Sequence, residues 1–277
     1  MEERIVTKFS DIEGVLEELC IHLYSGESWE TNRNRFLFRG QSQASHPIAS
    51  TLERVGKGDI SFYEYYQQVS SVLPLIQSMT GLSFNLEPIE KIKNWYRDFS
   101  NVGGEHKLLS VELLAFMRHH GFPSPLIDWS RSPYVALYFA CSNEREKDGA
   151  LWTYQEFVYD GKSVTNWHPM VVRVGHNFVT HERHQRQQGD YLIACFHDSK
   201  ESSKNGIWKF VPFQCMYKRQ FEERVGQDQL CKVIIKAEAK IPILKRLDAM
   251  NINAYSLYNS VDALMETEKF RLFDFNK

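Results

Sequence analysis

This 277-residue chain has no uninterrupted apolar run of about eighteen residues, so no segment suits a membrane-crossing helix. Its opening, Met1-Glu2-Glu3-Arg4, carries none of the apolar core of a signal peptide. Neither sign of charge prevails. The 33 Lys and Arg face 35 Asp and Glu, and a formal net charge of -2 supplies no global basic field for nucleic acid or membrane, although a local basic groove stays open. The five cysteines, Cys20, Cys141, Cys195, Cys215 and Cys231, are odd in number, widely spaced and without a C-x-x-C pair, which fits reduced thiols better than a disulfide framework. Together these absences predict a cytoplasmic protein with no membrane partner.

Several chemical motifs are missing as well. There is no G-x-G-x-x-G or G-x-x-x-x-G-K-[ST] phosphate loop, and Gly103-Gly104, lacking a following lysine and helix start, reads as a hinge. No serine sits in a G-x-S-x-G elbow, and Cys141 and Cys195 have no evident base, so nucleophilic hydrolysis is unsupported. His176, His181 and His184 lie close together, but their spacing matches neither H-E-x-x-H nor a Cys/His zinc pattern, and no metal is expected.

What is present suffices for a large core: 43% of residues are hydrophobic and 13% aromatic. Ser10 and Glu13 can form a capping box that opens a helix through about Leu23, with Ile12, Val15, Leu16 and Leu19 on its apolar stripe. Residues 35–41 read as a short buried strand. From Ile60 to Met79, Phe62, Tyr65, Tyr66, Val69, Val72, Leu73 and Ile76 recur at helical spacing, with Pro74 expected to kink or divide the segment. Further helices are predicted over 87–99 and 108–120, the latter stopped by Gly121. A brief strand ends at Asp128, and Ser132-Pro133 starts a helix over 134–141. Strands are expected at 150–154, 170–174, 190–196 and 232–240, with a last helix within 240–250. No linker or repeat divides the chain. Helices first, then strands in the second half, with one early strand at 35–41, argue for an α+β fold with a mixed or antiparallel sheet and additional N-terminal helices.

Three polar clusters stand beside strand-like residues. In the first, Arg39 can clamp a phosphate or carboxylate with its planar, permanently charged guanidinium, and Gly40 would let a ligand approach the backbone, with Gln41 following; the alternative is an internal ion pair, with Asp128 as the partner. In the second, Asp128, Trp129 and Ser130 precede the helix at Ser132. Asp128 can position a ribose hydroxyl or hold Arg39, Ser130 can meet an anion near the helix start, or both can simply cap. In the third, Arg183, Arg186, Gln187, Gln188 and Asp190 form either a ligand-facing surface or an exposed polar turn. A groove of Arg33, Arg35, Arg183 and Arg186 beside Phe62, Tyr63, Tyr65 and Tyr66 would suit single-stranded nucleic acid, whereas helical spacing assigns those aromatics to a core.

Phe38-Arg39-Gly40-Gln41, then His119-His120-Gly121-Phe122-Pro123-Ser124, Leu126-Ile127-Asp128-Trp129-Ser130-Arg131-Ser132-Pro133 and Ala136-Leu137-Tyr138-Phe139-Ala140, then Arg183 with Gln187-Gln188-Gly189, resemble the FRG domain across about residues 30 to 265. On that resemblance residues 1–277 form a single FRG domain with a helical insertion at about 60–120. Residues 256–264 look like a weakened form of that family's closing segment. The order of these motifs is similar to that of ADP-ribosyltransferases. The likeness implies that Arg39 holds the phosphates or ribose of NAD, that Ser130 supports the nicotinamide ribose, and that Gln188 or Asp190 occupies the place of the catalytic glutamate. It implies the corresponding fold, NAD as substrate, a macromolecular acceptor (RNA, DNA or protein), a toxin or antiphage role and a cognate inhibitor protein. This chain has Gln188-Gly189-Asp190 where that superfamily has a glutamate two residues after Gln or Glu, and aspartate is one methylene shorter. The competing expectation is a non-catalytic module that binds a nucleotide or a partner.

Overall fold

The computed structural model describes residues 4–21, 35–95, 108–156, 169–174, 181–198, 207–216 and 228–274. Gly103-Gly104, Arg33, His176 and the end of the helix expected at 87–99 lie outside the described residues. The described strands are β1 (Arg4–Val6), β2 (Phe36–Gln41), β3 (Ile60–Ser61), β4 (Ile127–Ser130), β5 (Gly149–Gln155), β6 (Met170–Arg173), β7 (Gly189–Asp198), β8 (Ile207–Phe210) and β9 (Gln229–Ile235). They form one sheet in the order β1-β9-β5-β2-β4-β7-β8-β3, with β6 pairing β7. Only β1 and β9 run parallel among the described pairs, so the sheet is mixed, as the α+β reading expects.

The helices are α1 (Ser10–Ile21), α2 (Thr51–Arg54), α3 (Phe62–Thr80), α4 (Ile89–Trp95), α5 (Val111–His119), α6 (Pro133–Cys141), α7 (Glu182–Arg186), α8 (Ala237–Ala249), α9 (Ala254–Tyr258) and α10 (Val261–Lys269), which runs into a π turn at Phe270–Asp274. The helices that join the core lie on one face of the sheet, and Ile48, Phe213 and Met216 pack on the other, so β2 is buried on both sides and is apolar without alternation. Phe36 and Phe38 join the cluster under α1, α6 and α8, while Leu37 joins Ile127, Trp129 and Trp152 on the opposite side. On β7 the same alternation sends Tyr191, Ile193 and Cys195 toward α3, α4 and α5, and Leu192 and Ala194 to the other face.

Helix α6 lies directly on β2. A Cβ placed on Gly40 would stand 1.8 Å from the carbonyl oxygen of Ala136 and 2.6 Å from the amide nitrogen of Ala140. Gly40 is therefore required by backbone packing, a role separate from the ligand approach expected of it. Ser132 caps α6 by accepting from the Val135 amide, with Pro133 in the first turn as expected.

Several local expectations give way to longer-range contacts. At α1 the carboxylate of Asp11 accepts from the Thr7 and Lys8 amides, while Glu13 accepts from the Tyr134 hydroxyl instead of closing a capping box on Ser10. Helix α3 runs for 19 residues between a Ser61–Glu64 capping box and Gly81 at φ 70°, undivided by Pro74. Pro74 is exposed, so water can serve the carbonyl that its ring leaves without a donor. The strand expected over 232–240 ends at Ile235, because Asp148 caps α8 by accepting from the Ala237 amide and pairing with Lys236. Lys240 thus enters α8 wholly buried and donates to the carbonyls of Ser42, Asn143 and Glu144. Helices α9 and α10 follow where α8 was expected to be last. No described helix is long and apolar enough to cross a membrane.

Candidate anion-binding site

β2 and β4 meet at a single register position, Phe38 opposite Ser130, and beyond it Arg39 and Asp128 turn toward a common cavity. Arg39 donates from Nη1 to the backbone carbonyl of Asp128 at 2.5 Å. The carboxylate of Asp128 instead pairs closely with Arg118, which arrives from the last turn of α5. The ion pair anticipated between Arg39 and Asp128 is therefore a bond to main chain, and the partner of the carboxylate is a residue that the sequence reading did not single out.

The cavity holds about 470 Å³ and is lined by Arg39, Gly40, Gln41, Asp128, Trp129, Ser130, Arg183 and Gln187 among the expected residues. Arg54, Arg118, His46, His119 and Tyr258 join them. Four arginines thus face one carboxylate, that of Asp128. The Nε atoms of Arg39, Arg118 and Arg183 and the indole Nε1 of Trp129 are buried without a hydrogen-bond partner. A buried polar atom left unpaired costs about 1–3 kcal/mol. Burial, opposed by Asp128 and reinforced by the charges of Arg54 and Arg118, pushes the Arg39 guanidinium down to about 10, so it remains a cation at neutral pH.

His119 adds a neutral group to this wall. Burial, countered by Asp128 and assisted by His184, His181 and Arg183, pushes its imidazole down to about 4, and one ring nitrogen shares a 3.0 Å hydrogen bond with the hydroxyl of Tyr191. Burial chiefly, with Asp128 next, raises the Tyr191 phenol above its ordinary value. Opposite, Arg183 lies with its guanidinium carbon 5.1 Å from the centre of the Tyr258 ring. Gln187 reaches the Leu257 carbonyl at 3.5 Å, so α9 helps close this end of the cavity.

Other expected residues hold the frame. Gln41 accepts from the Trp152 indole at 2.5 Å and donates to the Pro47 carbonyl at 3.0 Å. Ser130 donates to the Gln187 carbonyl at 2.8 Å and accepts from the Ser132 amide at 3.0 Å, tying β4 and α6 to the turn before β7. With both bonds made, its hydroxyl is committed to main chain.

Two expected catalytic residues do not reach the cavity. Asp190 is wholly buried, pairs with Arg173 at 2.6 Å and accepts from its neighbour's amide. One position along a strand separates the two faces, and β4–β7 pairing sets Asp190 opposite Trp129, on the face away from Asp128 and Ser130. Gln188 occupies a turn at φ 46°, exposed, with its carbonyl accepting from the Arg131 amide. It is Gln187 that enters the lining. The nucleic-acid platform is also corrected: Phe62, Tyr65 and Tyr66 are fully buried in the core under α3, and Arg186 is paired with Glu182. Among the described residues no cluster of three His, Cys, Asp or Glu could hold a metal ion.

The signal for Arg118 and His119 was present in the sequence as the stretch leading into His120-Gly121, but nothing local ties it to β4. No curated protein and no solved structure matches the chain. Residues 34–149 match the family model described as the FRG domain, a stretch that contributes Arg39, Arg54, Arg118, His119 and Asp128 to the cavity and stops short of Arg183, Gln187 and Tyr258.

Proposed function

We propose that the cavity binds the pyrophosphate of a nicotinamide dinucleotide and that the chain transfers ADP-ribose from NAD to a macromolecular acceptor, nucleic acid or protein. The observation that carries the binding half is the set of guanidinium Nε atoms on Arg39, Arg118 and Arg183, buried without partners around one cavity. Guanidinium groups match phosphate oxygens in pairs, and an anion entering here would recover the cost of cations held close together. Aromatic surface from Phe38, Phe139 and Tyr258 is available to a base or a nicotinamide ring. The transfer half draws on the ADP-ribosyltransferase-like order of the motifs: an arginine on an early strand, and a serine at a strand exit before a helix.

In the reaction, the bond between C1′ and the nicotinamide nitrogen breaks with its electron pair leaving on nitrogen. An acceptor lone pair then closes on C1′, and the acceptor's proton passes to a base. With Asp190 buried behind β7, the carboxylate able to face a developing positive charge is Asp128, held in place by Arg118. A second reading, nucleotide binding without turnover, is favoured by the burial of Asp190.

Purified chain incubated with labelled NAD and cell extract tests the proposal. Label transfer or nicotinamide release that disappears in Asp128→Asn supports the enzyme. Neither product, with NAD raising the melting temperature, supports the second reading; a ligand at a hundred times its dissociation constant adds about 2.7 kcal/mol of stability. No thermal response to any nucleotide removes both.

A further inference from the structure

The charges around the cavity do not balance against NAD. Arg118 is matched by the carboxylate of Asp128. Arg39, Arg54 and Arg183 line the same cavity with no carboxylate at ion-pair distance among the described residues. Arg39 bonds a main-chain carbonyl, Arg54 a main-chain carbonyl at 3.5 Å, and Arg183 the face of a tyrosine. Three cations are therefore uncompensated, and each already spends its other contact on a neutral group.

NAD brings two phosphodiester charges, and its pyridinium cancels one of them. A phosphate monoester brings about 1.5 to 2 negative charges at neutral pH. Cations collected in one concave cavity repel one another, and an entering anion relieves that repulsion in proportion to its charge.

Resting on the nucleotide reading of the cavity, we infer that its preferred ligand is a nucleotide carrying a phosphate monoester in addition to its pyrophosphate, with Arg39 on the pyrophosphate and Arg183 and Arg54 supplying the extra charge that the monoester meets. Arg183 suits that task. Its guanidinium is set over Tyr258 by α7 and α9, so one face is packed and its edge remains for phosphate oxygens. Two sources supply a terminal phosphate of this charge: a dinucleotide phosphorylated on a ribose, whose phosphate is a true monoester and which keeps a nicotinamide to release, and a nucleoside triphosphate, whose γ-phosphate is an anhydride and which has no nicotinamide.

Isothermal titration of the full chain with NAD, NADP and ATP decides the matter. The expected result is NADP or ATP binding at least about tenfold more tightly than NAD, with a steeper loss of affinity as salt rises. Arg183→Gln should shrink that advantage to about threefold or less, and Arg54→Gln should reduce it in the same direction. Preference for NADP over ATP identifies the phosphorylated dinucleotide; the reverse identifies the triphosphate. NAD binding as tightly as both would overturn the monoester while leaving the nucleotide site in place. Binding of none of the three would instead remove the reading of the cavity on which the inference rests. The wild-type comparison holds even where a variant fails to fold.

Discussion

Arg39 donates to the main-chain carbonyl of Asp128 at 2.5 Å, while the carboxylate of the same residue belongs to Arg118. One aspartate thus links two strands and a helix through different atoms. The arrangement leaves both guanidinium groups charged and partly uncommitted at the wall of one cavity, and the chemistry proposed above follows from it.

Arg39→Lys should separate structure from binding. Lysine keeps the charge but loses the planar fork, and a charge-assisted hydrogen bond contributes about 1.5–3 kcal/mol. The variant is expected to remain folded with a melting temperature lower by several degrees, and to bind nucleotide at least about tenfold more weakly by titration. Unchanged affinity would show that this guanidinium serves only the β2–β4 junction.

Gly40→Ala tests the packing of α6 on β2. The added methyl meets backbone atoms of Ala136 and Ala140, which cannot swing aside as a side chain would. Overpacking of a core typically costs about 1–3 kcal/mol, and a main-chain clash belongs at or beyond the top of that range. Chemical denaturation should give a large fall in midpoint or an insoluble product; a stability within about 0.5 kcal/mol of wild type would contradict the geometry.

Asp190→Ala should behave as a stability variant. It removes the buried carboxylate that pairs with Arg173, and removal of one partner from such a pair costs about 3–5 kcal/mol. Denaturation should reveal the loss, whereas nucleotide affinity of the fraction that folds should stay within about twofold of wild type. A folded, stable variant that had lost only label transfer would return Asp190 to a catalytic role.

His119 predicts an acid-side dependence of stability. Its pKa is near 6.5 in the unfolded chain and is lowered to about 4 in the fold, so between those values the unfolded chain binds more protons. The contribution of His119 is complete above about pH 6.5 and is lost as pH falls toward about 4. His119→Gln removes that proton uptake. Melting curves taken between pH 4 and 7 should fall less steeply for the variant than for wild type, and parallel curves would refute the assignment.

Reading of the sequence succeeded where the information is local. The buried character of 36–41, the Ser132-Pro133 helix start and the period of Phe62, Tyr65, Tyr66 and Val69 each depend on neighbours within a few positions. It failed where a distant atom intervened. Asp148 caps α8 from across the chain, so the strand stops at Ile235 and Lys240 becomes helical. Arg118 lies ten positions before Asp128, yet only the packing of α5 beside β4 turns it into that carboxylate's partner.

Sequence alone determined the mixed α+β character and the need for partners wherever a charge sits among apolar neighbours. Tertiary structure decided which partners those are. Strand pairing turned Asp190 inward to Arg173, and the docking of α5 and α9 brought Arg118, His119 and Tyr258 to the cavity. The reason is physical: periodicity and propensity are encoded over one or two turns of chain, whereas the environment of a charge depends on whichever segments the whole core brings against it.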